Sequence, residues 1–177
     1  MPRFELDLNP VQHITSDAIG KPGKRVFYLQ GWRETDIHPV TVIVEKVQLQ
    51  TLATGLEQML TEIAKQKPTL AGFSAEYDEE KMRIPPPVDP LFRAGEMGLG
   101  YDADQDQIVI LVREIVMEDG DPEEASVVRF WCNRQQASWL AGWSKEVIDR
   151  GRPICPQCGQ PMEPEVHFCP KKNGHKH

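Results

Sequence analysis

Long apolar runs are missing from this 177-residue chain: none approaches the eighteen or more residues that a membrane helix requires. The first eight residues also lack the basic and apolar stretches of a secretory leader, so a cytoplasmic location is expected. Positive charge is scarce. The formal net charge is -7, and residues 1–150 carry sixteen Lys and Arg against twenty-five Asp and Glu. Such an acidic body repels a phosphate backbone, which argues against nucleic acid as a partner. There are only four cysteines, and Cys132 stands apart from the others at a strand end, as a small core residue does. No nucleophile, base and acid are spaced as a catalytic set, and His13 and His38 are isolated. A binding protein is therefore expected ahead of an enzyme.

What the chain does have is concentrated at its end. Cys155 and Cys158 form a Cys-x-x-Cys, Cys169 follows after ten intervening residues, and His167 and His175 stand on either side of Cys169. Zn²⁺ takes four soft or borderline ligands in a tetrahedron, and Cys-x-x-Cys supplies two of them from one tight turn. In a reducing compartment, clustered cysteines point to metal ahead of disulfides. The motif does not stand between a strand and a long helix, as a thioredoxin-like redox pair would. The expected ligands are Cys155, Cys158, Cys169 and His175, because Gly174 can turn the chain back onto the metal. His167 is the alternative fourth ligand, since it lies two residues before Cys169 on the same side of an extended arm. A site closed by four protein ligands is structural, and the metal would supply the folding energy of so short a tail. The expected organisation is an α+β domain over residues 1–150 and a zinc-ribbon-like tail over residues 151–177.

Within the body, residues 4–8 alternate apolar and polar as a half-buried strand does. Residues 26–30, 40–44, 108–112 and 125–131 read as further strands, the second of them strongly β-branched. Leu49, Leu52, Leu56, Met59, Leu60 and Ile63 recur at helical steps and share one face, and Pro68 ends that helix. Asn133 and Gln136 have the spacing of a capping box before a second helix, with Trp139, Leu140, Trp143, Val147 and Ile148 on its apolar face. Residues 74–90 mix acidic side chains with four prolines and read as a solvated, partly extended connection between two halves. Asp102, Asp104 and Asp106 have the spacing of a calcium loop, but Gln107 and Arg113 stand where Gly and Glu are needed, which leaves a hairpin tip. Laying residues 40–60 over 127–147 matches strand to strand and helix to helix. The pattern suggests two β-hairpin-plus-helix halves, with two helices on one side of a mostly antiparallel sheet.

One turn offers an alternative chemistry. Gly20, Gly23, Lys24 and Arg25 could cradle a phosphate with backbone N–H groups and basic side chains, although no Walker Lys-Ser/Thr follows them. Arg93 and Glu96 would join such a site. The tail bases Lys171, Lys172 and Lys176 would be needed for any nucleic-acid contact, and no aromatics alternate with them.

The residues from Gly151 through Cys155, Cys158, Gly159 and Met162, with His167, Cys169, Asn173 and His175, resemble the C-terminus of the bacterial domain-of-unknown-function 3090 family. Residues 20–30 resemble its N-terminal segment, and residues 92–96 its middle. The resemblance implies no particular activity. It implies a gene neighbourhood that includes histidine-phosphatase-like and lipid-kinase-like proteins, and with it an expected phosphate-related role in regulation. The expected function is a zinc-binding adaptor or regulatory protein with a protein partner. The alternative is an enzyme or binding protein for a phosphorylated or nucleotide substrate.

Overall fold

A computed structural model describes residues 3–21 and 23–150 of the chain. The proposed zinc ligands Cys155, Cys158, His167, Cys169 and His175 lie outside the described residues. The order is β1 (Glu5–Leu8), β2 (His13–Ile19), β3 (Val26–Trp32), β4 (Val40–Val44), α1 (Lys46–Gln66), the single turn α2 (Glu79–Met82), β5 (Phe92–Asp102), β6 (Gln107–Glu114), β7 (Val127–Cys132) and α3 (Arg134–Arg150). The seven strands form one mixed sheet in the order β1-β7-β6-β5-β4-β3-β2. Four of its six pairings are antiparallel; β1 with β7 and β4 with β5 are parallel. The α+β class and the mostly antiparallel sheet expected from the sequence are what the fold has. Strand β2 and the turn α2 were not foreseen. No described helix is long and apolar enough to cross a membrane.

The sheet curls on itself. Glu5 to Leu8 run beside Val127 to Phe130, then the Val11 N–H donates to the Trp131 carbonyl at 2.8 Å. One residue later the Gln12 N–H donates to the Trp32 carbonyl at 2.7 Å, and β2 continues along β3. A single stretch thus borders β7 and then β3, linking the two ends of the sheet. Across the curl, a Cβ on Gly31 would stand 2.9 Å from the Phe130 ring. Only glycine allows that approach. Leu8, Leu29, Val42, Ile110 and Phe130 fill the interior, all fully buried.

Both long helices start in the same way. The Glu45 N–H donates to Gln48 Oε1 at 2.7 Å, and the Asn133 N–H to Gln136 Oε1 at 2.9 Å. At the second site the capping box is complete, with the Gln136 N–H on Asn133 Oδ1 at 2.7 Å. Glu45 therefore falls on Asn133, an offset of 88, with Gln48 on Gln136. The sequence alignment, at an offset of 87, is one residue out. Strand burial shows why: Val40, Val42 and Val44 face the core, as do Val128, Phe130 and Cys132, and a one-residue slip points every strand side chain the wrong way. With the corrected offset, buried Leu49, Leu52, Ala53 and Leu56 fall on buried Ala137, Leu140, Ala141 and Ser144. The repeat is larger than a hairpin and helix: β2-β3-β4-α1 is followed by β5-β6-β7-α3. The helices pack on each other, and Lys145 bonds Glu57 at 2.6 Å. At an offset of 88 these two residues are equivalents, so the contact lies on the pseudo-two-fold axis.

Candidate functional site

The connection between the halves is where chemistry-bearing side chains gather, and it is more than a solvated loop. From Ala71 to Ile84 it runs as a strap over α3 and β2. Arg134 Nη1 donates to the Ala71 carbonyl at 3.0 Å, and the Gln135 amide exchanges hydrogen bonds with the Ser74 backbone. Tyr77 stands edge-on to Trp143 with ring centroids 5.8 Å apart. The Thr15 hydroxyl donates to the Met82 carbonyl, and the Ile84 N–H donates to Asp17 Oδ2 at 2.8 Å. Met82 and Ile84 are buried, so two apolar anchors fix a segment that otherwise reads as charged and proline-rich.

The strap is tied to the end of α3 by charge. Arg150 pairs with Glu79 and with Glu146, and Arg83 pairs with Glu79 at 2.6 Å. Hydrogen bonds from Arg150, then Arg83, hold the Glu79 carboxyl down at about 2. The Arg150 guanidinium also lies 5.3 Å over the Trp143 ring.

Of the proposed phosphate cradle, Gly20 and Gly23 both adopt positive φ, at 122° and 87°. The Lys24 N–H closes the turn on the Lys21 carbonyl at 2.8 Å, and both lysines are exposed. Arg25 points elsewhere. Its Nη1 donates to the Val147 carbonyl at 2.9 Å and its Nη2 to the Ile148 carbonyl at 3.5 Å, with the guanidinium 4.8 Å over the Phe27 ring. Burial lowers its pKa and Asp17 opposes that. A cation on the last carbonyls of a helix compensates its dipole, so Arg25 caps α3. Arg93 pairs with Glu45 at 2.8 Å, and Glu96 with Arg113 at 3.7 Å. Arg25, Arg93 and Glu96 thus each have a structural partner.

The acidic hairpin tip is also occupied. Asp102 Oδ1 accepts from the backbone of Asp104 and Gln105. Asp106, at φ 51°, takes Arg134 Nε on both oxygens at 3.1 Å and the Tyr101 hydroxyl at 2.7 Å. No cluster of three or more metal-ligating side chains occurs among the described residues. His13 stacks on Trp32, its centroid 4.8 Å away, and burial lowers its pKa.

One feature was not readable in the sequence. Between the first half of α1 and β5 lies a groove of about 390 Å³, floored by Leu52, Met97 and Leu99 and walled by Val47, Gly55 and Gly98. Its lining is predominantly apolar, and Val47 is 65% exposed.

A family model described as "Protein of unknown function (DUF3090)" matches residues 6–169. The chain belongs to that family. The match takes in Cys155, Cys158, His167 and Cys169 and stops short of His175. No curated protein and no solved structure matches the chain.

Proposed function

We propose that this member of the DUF3090 family is a zinc-binding adaptor or regulatory protein, in which a structural metal organises the tail as a surface for a protein partner. The observation that carries the reading is the donor set: three thiols and an imidazole at knuckle spacing suit tetrahedral Zn²⁺. Cys155, Cys158 and Cys169 would hold the metal with His175 or His167. Zinc would supply cross-linking there and no reaction step. The basic side chains of the described body give indirect support, because Arg25, Arg93 and Arg134 are engaged by helix carbonyls, Glu45 and Asp106.

Elemental analysis of the full chain, purified without added metal, tests the proposal. One zinc per chain is expected, lost in Cys155→Ser; protein free of zinc would sink the idea. Alanine at His167 and at His175, made separately, identifies the fourth ligand by which variant binds zinc more weakly. A co-purifying protein partner should be lost with the metal.

A second reading keeps the Gly20–Arg25 turn as a site for a phosphorylated or nucleotide ligand. Two positive-φ glycines and the exposed Lys21 and Lys24 favour it. Thermal stabilisation by a nucleotide or sugar phosphate, abolished by Lys24→Ala, would support it. Lys24 is the better probe, because Arg25→Ala also uncaps α3.

A further inference from the structure

The groove between α1 and β5 has a counterpart in the other half, and there it is filled. The counterpart lies between α3 and β2, and the strap from Ala71 to Ile84 covers it. The equivalence is specific. Gln48 Nε2 donates to the carbonyls of Ala94 and Gly95 at 3.2 and 2.8 Å. Its equivalent Gln136 donates to those of Val11 and Gln12, both at 3.2 Å. Ala94 and Gly95 therefore correspond to Val11 and Gln12, which places β5 on β2 at an offset of 83. Thr15, which holds the Met82 carbonyl, then falls on Gly98 in the wall of the open groove. Gln135, which holds Ser74, falls on the exposed Val47. Three points that grip the strap, Thr15, Gln135 and the Trp143 ring against Tyr77, thus have their equivalents, Gly98, Val47 and Gly55, in the lining of a groove that no described residue fills.

The segment that follows α1 is the strap, and the segment that follows α3 is the C-terminal tail. We infer that the tail of this same chain, residues 151–177, covers the α1–β5 groove as the strap covers the α3–β2 groove. Chain order and position agree. The last turn of α3, at Ile148 and Asp149, borders Gln50 and Thr54 of α1. Thr51 and Gly55, one residue further on, line the groove. The tail therefore leaves the body beside the groove, with 27 residues to cross it. Extended chain covers about 3.3 Å per residue, so sixteen residues to Val166 reach roughly 50 Å, about twice the length of α3. The tail also carries matching anchors. Val166 and Phe168 are two apolar residues at the spacing of the buried Met82 and Ile84, and an extended arm would turn both to one side. The inference rests on the groove and the repeat and does not require the metal.

Methyl NMR on the full chain tests it. Phe168→Ala removes a ring without touching the body. It is expected to move the methyl signals of Leu52, Met97 and Leu99 by several linewidths and to leave those of Met82 and Leu140 in place. Groove methyls that stay put would overturn the proposal. A second variant approaches from the other side. A Cβ on Gly98 meets no heavy atom within 4 Å, so Gly98→Leu has room to start its side chain from the groove wall. Amide exchange at Val166 and Phe168 should then accelerate at least tenfold; unchanged exchange counts against the tail. Labelled Phe168→Ala chain mixed with unlabelled wild type settles the source. Groove signals that revert on mixing would mean the tail of a second copy fills the groove, and the proposal for this chain's own tail fails.

Discussion

Gly31 meets Phe130 where the sheet curls, so a methyl group at residue 31 would stand 2.9 Å from a fully buried ring with nowhere to move. Gly31→Ala is expected to cost about 1–3 kcal/mol, read as a lower urea midpoint. Glu79 offers a test by pH. Its carboxyl is held at about 2 against an ordinary 4.5, so the link to Arg150 is complete above pH 4.5 and is lost as pH falls through 2. An NMR titration of the Glu79 carboxyl should find that low midpoint, and Arg150→Gln should raise it towards the ordinary value. Some residue roles were readable in the sequence and others were not. Asn133 and Gln136 are three residues apart, and their reciprocal bonds follow from that spacing alone. Arg25 reaches carbonyls more than a hundred residues away, and no local pattern announces such a partner.

Helices α1 and α3 are each pinned to the sheet by one glutamine. Gln48 and Gln136 cap their own helices and bridge to the kink where the neighbouring strand changes pairing. Gln48→Leu and Gln136→Leu should each cost about 1–3 kcal/mol by leaving backbone groups without partners, and the two losses should be similar. A difference of several-fold in the measured unfolding free energies would count against equivalent halves. The sequence displayed both helices because their apolar faces are periodic and their ends are capped. It displayed the strands less completely. In β2 the buried run includes Thr15 and Ser16, whose hydroxyls bond the Met82 carbonyl and Ser144, so burial there is polar and breaks the expected alternation. The offset of the repeat slipped by one for a related reason: Thr41 and Val128 are both buried although they face opposite ways in the repeat, so apolar matching alone cannot set the register.

For the molecule as a whole, the shortest strand is placed where it matters most. β1 has four residues, yet Leu8 is fully buried where the two ends of the sheet meet. Leu8→Ala should therefore cost about 2–5 kcal/mol, as a substitution in a central strand would, and calorimetry should show one cooperative transition at lower temperature. The class of the body and its division into halves could be read from periodicity and turn residues. The curl and the open groove could not, because both depend on contacts between strands far apart in the chain. The curl has a consequence in time. Strand β1 is made first, but its partner β7 follows about 120 residues later, a delay of roughly 6–25 s at ordinary synthesis rates. For that interval the emerging chain has an opening strand with no mate, and this is when a chaperone or a neighbouring nascent chain would find it.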